Sequence, residues 1–436
     1  MATISDVAKV RRERGSLSRR DTLGTGVRLA SAWARVWAQP QWAGLLALLI
    51  YGAVAEIHRP LLVATSAAYY NYLADAFLHG QLWLRQVPPQ TLDLVLYHGH
   101  YSLYWGPLPS LLLLPLVALF GVGFSDVLTT AVVGALNVAL VAAILQAATA
   151  RRVVRLTRRQ RGLLVLFFAL GTVQLPLAPQ GRVWAIDQLV GFACVALAYL
   201  AALRYRGWWA FGLTGVALAG AVLTRDHLVL AGVWPAWYLA REHWGWRWRG
   251  LLARLGTAAA PIVGAVGLLG GYDWLRFGNA LNNGIPYHQM NVAFRADYAR
   301  YGFFSLHYVP INLYYQYVFY PLPLRPESTM GGSLLLMSPV FVLAGVGVVR
   351  GWRQGSTWAL VSSIVLVNLP ILLLMGTGWM QYGPRYTLDF TVPLLLLTAL
   401  GVRRVPHWTL ALLTVVSIAQ FSGSALPYLH LVSWLR

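Results

Sequence analysis

Long apolar runs interrupted by clusters of arginine constrain this chain more than any other feature. Runs of about 15 to 25 largely apolar residues recur along nearly all of its 436 residues, of which 58% are hydrophobic and only 11% charged. A helix needs about 20 such residues to cross the roughly 30 Å hydrocarbon core of a bilayer. The sequence therefore predicts an all-α, polytopic membrane protein and excludes a soluble globular domain.

The basic clusters predict how the apolar runs are threaded. They are Lys9 to Arg35, Arg151 to Arg161, Arg204 and Arg206, Arg241 to Arg254, Arg350 and Arg353, and Arg403 and Arg404. If all lie in the cytoplasm, as the basic loops of membrane proteins tend to, the spans between them must come in pairs. We predict about eleven transmembrane helices, with the N-terminus inside and the C-terminus outside, at 42–57, 125–149, 162–178, 188–203, 208–224, 226–240, 255–272, 332–349, 357–376, 388–402 and 407–425.

The charge distribution supports this threading. The segments predicted to be cytoplasmic hold 24 of the 34 basic residues and 4 of the 14 acidic ones, and so carry the whole net charge of +20. This excess is a topology signal whose partner is the anionic lipid surface, and it requires no nucleic acid. The use of 33 arginines and one lysine is typical of a GC-rich prokaryotic genome, so we place the protein in a bacterial cytoplasmic membrane. The single cysteine, Cys194, excludes an intrachain disulfide.

We divide the chain into a basic cytoplasmic tail, 1–41, and a transmembrane domain, 42–436. Its outer loops are predicted at about 58–124, 179–187, 273–331 and 377–387. The first loop contains YYNYLADAFLHGQLWL, in which an apolar stripe opposes a polar one, as in a helix lying on the membrane surface. The apolar stripe comprises Tyr70, Leu73, Ala74, Phe77 and Leu78, and the polar one Asn71, Asp75 and His79. The segment GPLPSLLLLPLVALFG in the same loop is interpreted as half-buried or re-entrant.

Charged residues interrupt the apolar stretch AGAVLTRDHLVLAG. One helix over 208–240 would be roughly 50 Å long, which exceeds the bilayer core, and both of its flanks are basic. A hairpin with Arg225, Asp226 and His227 at its outer tip satisfies both facts.

The predicted outer loops carry the residues that chemistry could use. Two arginines far apart in sequence, Arg225 and Arg385, lie at the same predicted depth, and guanidinium groups suit phosphate oxygens well. Acids on the same face could deprotonate a hydroxyl, although Asp187 could equally be a helix N-cap and the arginines could snorkel to headgroups. The candidate acids are Asp75, Asp93 and Asp187, and the candidate contacts are Tyr386, His98, His100, Tyr287 and His288. Two histidines in YHGHY without a third ligand are a weak metal signal, so we name no metal ligand and no cofactor.

These segments resemble the GT-C superfamily of membrane glycosyltransferases, particularly bacterial relatives of protein O-mannosyltransferases and of the lipid A aminoarabinose transferase. VALAGAVLTR looks like the family segment GLA-x-LTK, with Arg225 where the family has a phosphate-binding lysine. AIDQLVGF matches an acid that opens a span, which implies a role for Asp187, and GPRYTLDF is similar to a recurrent motif that implies site roles for Arg385 and Tyr386. The catalytic aspartate that these enzymes usually carry after the first span falls near Ser66 here, and a usual Lys-Pro is Gly106-Pro107.

The resemblance implies a glycosyltransferase that moves a sugar from a polyprenyl-phosphate donor to an extracytoplasmic acceptor, glycan, lipid or protein, with Asp75, Asp93 or Asp187 as the base. Two alternatives stay open. Ser66 is compatible with a catalytically silent member of the fold that binds a lipid-linked glycan. A transporter is the second, although transporter sites lie near the midplane rather than at one face.

The predicted threading is tested by labelling single introduced cysteines in intact cells. Positions near Arg155 and Arg353 should be protected from a membrane-impermeant reagent, because they are expected in the cytoplasm, and positions near Pro286 should react. Labelling at position 155 from outside would contradict the hairpin at Arg225.

Overall fold

The computed structural model describes residues 34–242 and 248–434, without the side chains of residues 242, 248 and 423–434. Within these residues, six helices are long and apolar enough to cross a membrane: Pro40–His58, Asp126–Ala150, Arg182–Arg204, Arg249–Phe277, Gly355–Leu373 and Arg385–Val402. Four shorter apolar helices accompany them: Leu108–Phe120, Gly207–Val222, Pro339–Gly351 and His407–Ser422. The chain is thus a multi-pass helical membrane protein, and the count of eleven spans stays a prediction.

The elements follow one another in a mainly helical order. The helices of the first half are α1 (Pro40–His58), α2 (Tyr69–Leu78), α3 (Leu108–Phe120), α4 (Asp126–Ala150), α5 (Arg158–Leu170), α6 (Gln174–Leu177), α7 (Arg182–Arg204), α8 (Gly207–Val222) and α9 (Val233–Glu242). Those of the second half are α10 (Trp248–Phe277), α11 (Val292–Tyr301), α12 (Val309–Leu313), α13 (Leu334–Met337), α14 (Val342–Gly351), α15 (Gly355–Leu373), α16 (Thr391–Val402) and α17 (His407–Trp434). Strands β1 (Val95–Tyr97) and β2 (His100–Ser102) pair antiparallel, and β3 (Met330–Gly331) pairs in parallel with β4 (Gln381–Tyr382).

Helix α7 is the centre of the bundle. It packs against α4 on one side and α8 on the other, while α1 covers α4 and α10 covers α8. The apolar window of α7 is 89% buried within the protein, whereas that of α10 is only 11% buried. Helix α10 therefore presents its apolar side chains to lipid, and a charged side chain on α7 must find its partners inside the protein.

Four of the basic clusters, those around Arg151, Arg204, Arg350 and Arg403, meet at one end of the bundle. Arg151 donates through Nε to the carbonyl oxygen of Leu203 at 2.7 Å, and Arg350 donates to that of Gly401 at 2.8 Å. Both contacts satisfy carbonyl groups near helix C-termini, which have no partner within their own helix. Because α7 runs about 33 Å from Arg182 to Arg204, its first residue lies at the opposite end.

The chain folds back near Arg225, as predicted. Helix α8 ends at Val222, a 3₁₀ segment covers Asp226–Gly232, and α9 follows. Gly232 packs directly against the side chain of Leu218, whereas an uninterrupted helix would separate these two residues by about 21 Å.

The predicted surface helix is wrong in its orientation. Helix α2 buries residues around most of its circumference, and Asn71 of the supposed polar face is fully buried. The Asn71 amide donates to the carbonyl oxygens of Val122 and Phe124, at 3.0 and 2.6 Å, and so satisfies the loop that leads into α4. A polar residue with buried partners has the same periodicity as one facing water, which is why the pattern misled.

The apolar segment that follows is half-buried, as expected. In α3, Leu113 and Val117 pack inside the bundle while Leu112 and Phe120 are exposed.

Glycines allow α14 and α16 to pack with their backbones in contact. A Cβ at Gly347 would run into the carbonyl oxygen of Leu397, whereas a Cβ at Gly345 in the same helix would meet nothing within 4 Å. Small residues at helix interfaces serve this purpose in membrane proteins.

Gly347→Ala should lower the thermal unfolding midpoint in detergent by forcing the helices apart. Gly345→Ala should leave it unchanged or raise it slightly, since alanine is the better helix former. Equal midpoints for the two variants would contradict this packing.

Candidate functional site

A cavity of about 500 Å³ opens at the end of the bundle opposite the basic clusters. It collects residues from segments that are far apart in sequence, and four arginines and four aspartates are among them. Its walls come from residues within 90–106, 180–188, 222–227, 269–276, 283–304 and 370–386.

A buried cluster of charges forms one wall of this cavity. Arg225 Nε lies 3.5 Å from Asp187 Oδ2, and Arg225 Nη2 lies 3.2 Å from Asp389 Oδ2. Tyr70 donates to the other oxygen of Asp187 at 3.0 Å, and His227 Nε2 lies 3.1 Å from Asp389 Oδ2. The two carboxylates are almost completely buried. Arg225 is therefore committed to two acids, a pairing that makes their burial tolerable.

Arg385 lies beside this cluster without an acid of its own. The guanidinium carbons of Arg225 and Arg385 lie 5.2 and 4.9 Å from the centre of the Tyr386 ring, so they are at most about 10 Å apart. Arg385 Nη2 donates to the Tyr386 hydroxyl at 3.4 Å, and its buried Nε has no partner among the described residues. Gln188 donates to the Arg385 carbonyl oxygen at 3.2 Å and holds the backbone in place.

Arg182 is a second arginine of the cavity that forms no ion pair within 34–242 and 248–434, and no sequence motif indicates it. Its Nε and Nη2 are buried and have no partner among the described residues. Gly181 and Arg182 both have a φ of +66°, which is rare for a residue with a side chain. The Arg182 backbone N–H donates to Asp126 Oδ2 at 2.7 Å, and the same carboxylate accepts from the Thr65 hydroxyl at 2.6 Å. The placement of Arg182 depends on this contact with Asp126, which lies 56 residues away in the chain, and a local sequence pattern does not indicate it.

Asp93 and His288 form a pair on another wall. His288 Nε2 lies 2.9 Å from Asp93 Oδ1, and the indole N–H of Trp184 donates to Asp93 Oδ2 at 2.9 Å. The Asp93 side chain is 23% exposed, compared with 3% for that of Asp187. Asp93 is thus the more accessible of the two predicted acids that line the cavity.

Arg276 differs from Arg385 and Arg182 in having a carboxylate partner. Its two terminal nitrogens contact Asp273 Oδ1, at 2.6 Å, and the carbonyl oxygen of Leu103, and its guanidinium stacks on Tyr272, while its Nε has no partner among the described residues. Arg276 therefore joins α10 to the residue that follows β2, and its charge is already paired.

Six of the ten predicted site residues line the cavity. They are Asp93, Asp187, Arg225, Arg385, Tyr386 and His288. Asp187 lies in the second turn of α7, which begins at Arg182, so the alternative that it caps this helix is wrong.

The other four predicted residues lie outside the cavity lining. Asp75 is paired with Arg85, at 3.2 Å, on the outer side of α2. His98 forms the turn between β1 and β2 together with Gly99, both with positive φ, and is exposed. His100 stacks on Trp83 and Tyr287 packs against Tyr97, in a layer outside the cavity. The pattern YHGHY suggested His98 and His100 as substrate contacts, but the hairpin of β1 and β2 places both outside the cavity lining.

The part of the chain that the structure describes contains no group of three or more His, Cys, Asp or Glu side chains that could hold a metal ion.

Comparison with solved structures places this fold. The ArnT of Cupriavidus metallidurans, solved in the apo state, superposes on 83% of this chain with a TM-score of 0.50 and 16% sequence identity. A weaker likeness, with a TM-score of 0.44 and 12% identity over 89% of the chain, links it to the oligosaccharyltransferase of Archaeoglobus fulgidus in the apo form. The matched regions are 59% and 56% of those two proteins, so this chain spans little more than half their length.

ArnT, a lipid A aminoarabinose transferase, is a GT-C glycosyltransferase, and the chain described here has a GT-C-like fold. No protein-family model matches the chain. None of the curated proteins matches it.

The two cavity arginines should differ in what they do for stability. Arg225→Ala leaves Asp187 and Asp389 buried without their cation, and breaking such a pair costs about 3–5 kcal/mol. Arg385→Ala leaves no carboxylate unpaired and should unfold close to the parent. Unfolding in detergent, followed by tryptophan fluorescence, measures both. Equal stability of Arg225→Ala and the parent would show that the cluster does not depend on Arg225.

Proposed function

We propose that the protein is a glycosyltransferase that moves a sugar from a polyprenyl-phosphate donor to a hydroxyl group of an acceptor. The observation that carries this proposal is the pair of guanidinium groups, Arg182 and Arg385, that line a partly apolar cavity and form no ion pair among the described residues. An acid–histidine pair, Asp93 and His288, lines the same cavity. An anion-binding group beside a proton-accepting one is what transfer from a phosphate leaving group requires.

Arg385 is the main phosphate ligand in this proposal, and Arg182 assists it. Guanidinium groups bind phosphate oxygens through paired N–H donors, and these two have donors that no carboxylate occupies. The sequence predicts this role for Arg225 together with Arg385. Its two carboxylate partners favour a supporting role instead, in which Arg225 neutralises Asp187 and Asp389 and its guanidinium lies on Tyr386.

The apolar part of the cavity suits the lipid of the donor. Ile371, Leu374 and Met375 from the end of α15 and Phe303 and Phe304 from the segment after α11 line it, and Phe304 is exposed. Isoprenoid carbons packed there would leave the phosphate at the arginines, because a lipid phosphate must reach its charged ligands while its tail stays in an apolar environment.

In this proposal, Asp93 is the acid that acts beside the acceptor hydroxyl, rather than Asp187 or Asp75. Asp187 is engaged with Tyr70 and Arg225, and Asp75 lies outside the cavity lining. A single displacement at the anomeric carbon would invert its configuration. We place the cavity on the extracytoplasmic side of a bacterial cytoplasmic membrane, because the arginine clusters at the other end of the bundle follow the positive-inside tendency.

Ser66 favours a second candidate, a catalytically silent protein of this fold that binds a lipid-linked glycan. It stands where the resembling enzymes have their aspartate, and its hydroxyl donates to Gln90 Oε1, at 3.4 Å, at the cavity wall. This candidate keeps the donor site and lacks transfer, so the two are separated by activity and not by binding.

Donor binding tests the phosphate site. Arg385→Ala should weaken the binding of a short-chain polyprenyl phosphate by about 10- to 150-fold, because a charge-assisted hydrogen bond is worth about 1.5–3 kcal/mol. Arg385→Lys should recover only part of the affinity if binding is bidentate. Arg295→Ala, which removes an exposed arginine on α11, is the matched control and should bind like the parent. Unchanged affinity in Arg385→Ala and Arg182→Ala would rule out the site.

A further inference from the structure

We infer that Nδ1 of His288, and not a carboxylate, accepts the proton of the acceptor hydroxyl, and that Asp93 is the positioning residue that orients His288. This inference rests on the proposed function. His288 Nε2 lies 2.9 Å from Asp93 Oδ1, and both residues line the cavity.

The chemistry of the pair fixes the tautomer of the histidine. A carboxylate can only accept hydrogen bonds, so in the neutral imidazole ring His288 Nε2 carries the proton and Nδ1 keeps its lone pair. Nδ1 is buried and has no hydrogen-bond partner among the described residues. A buried acceptor of this kind is costly unless something donates to it. An acceptor hydroxyl bound in the cavity would supply that donor.

The backbone holds the pair rigidly. The Asp93 N–H donates to the Gln289 carbonyl oxygen at 3.0 Å, and the Gln289 N–H donates to the Leu94 carbonyl oxygen at 2.7 Å. Val95 and His288 continue this contact as an antiparallel bridge. The indole N–H of Trp184 fixes the second carboxylate oxygen. Asp93 therefore has little freedom to rotate toward a substrate, whereas it is well placed to hold the imidazole ring.

The two other rings that pack against His288 carry no charge that would compete with Asp93 for the Nε2 proton. Its ring packs edge-to-face against Tyr104, with ring centres 5.0 Å apart, and against the apolar ring of Phe303. Burial, together with the negative charge of Asp93, raises the pKa of Tyr104 well above its ordinary value, so this phenol stays neutral. Asp93 is the charged group that the structure places in contact with His288.

The acceptor O–H bond breaks, its proton goes to His288 Nδ1, and the oxygen forms a bond to the anomeric carbon of the donor. The bond from that carbon to the phosphate oxygen breaks, and its electron pair leaves with the lipid phosphate, beside Arg385. The imidazolium is stabilised by Asp93 until it loses its proton to water.

The test compares His288→Ala, His288→Gln and Asp93→Asn in transfer of radiolabelled sugar from polyprenyl-phosphate-linked hexoses and pentoses to membrane acceptors. His288→Gln keeps a donor toward Asp93 but lacks the basic nitrogen, so it should fold and bind polyprenyl phosphate normally while turnover falls about 10²–10⁴-fold. Imidazole added to His288→Ala should restore part of kcat. Asp93→Asn should lower kcat without raising KM, and the double variant Asp93→Asn, His288→Ala should lose no more than the single ones.

Each failure has its own signature. His307→Ala, an exposed histidine outside the cavity lining, is the control and should transfer like the parent. If His288→Gln keeps parental turnover, or if imidazole restores nothing to a folded His288→Ala, the base is not His288. If the parent chain transfers no sugar from any of these donors while binding polyprenyl phosphate, the proposed enzyme activity fails instead, and the silent binding protein replaces it.

Discussion

The structure depends on the neutralisation of two buried carboxylates by one arginine. Asp187 comes from the central helix, Arg225 from the turn between α8 and α9, and Asp389 from the segment that leads into α16. An isolated charge at this depth would cost several kcal/mol. None of the three segments can therefore take its place without the other two. The cluster fixes one wall of the cavity and holds Tyr386 over the arginine, so the position of Arg385 beside it follows from the same constraint.

Hydropathy predicted the axial arrangement of the chain well. Apolar runs and basic clusters determine how deep each residue lies, and this is why Arg225 and Arg385 could be placed at one level from sequence alone. The turn at Arg225 followed from length, because a helix from 208 to 240 exceeds the bilayer. Lateral contacts are a different matter. A pattern of residue types records that Asn71 is polar but not that two loop carbonyls are its partners.

The same limit applies at the site. The predicted role of Arg225 rests on its depth and on a resemblance to a lysine segment, and neither indicates its two acid partners, which lie 38 residues before and 164 residues after it in the chain. Arg182 was overlooked because its position depends on Asp126, which also belongs to another helix. The sequence groups His288 with Tyr287, whereas in the structure His288 pairs with Val95 in a backbone bridge and its ring lies against Asp93.

The segment that contains Ser66 is held in place by hydrogen bonds of its neighbours. The segment after α1 is held by Asp126, which accepts from both the backbone N–H and the hydroxyl of Thr65, and by Ser125, which donates to the Leu61 carbonyl oxygen. The hydrogen bonds of this segment thus fix Thr65. The carboxylate of Asp126 that holds Thr65 also accepts from the backbone N–H of Arg182. In the proposed enzyme, an anion ligand is anchored where the resembling proteins keep their base. The proposed proton acceptor lies instead on the bridge between 93–95 and 288–289.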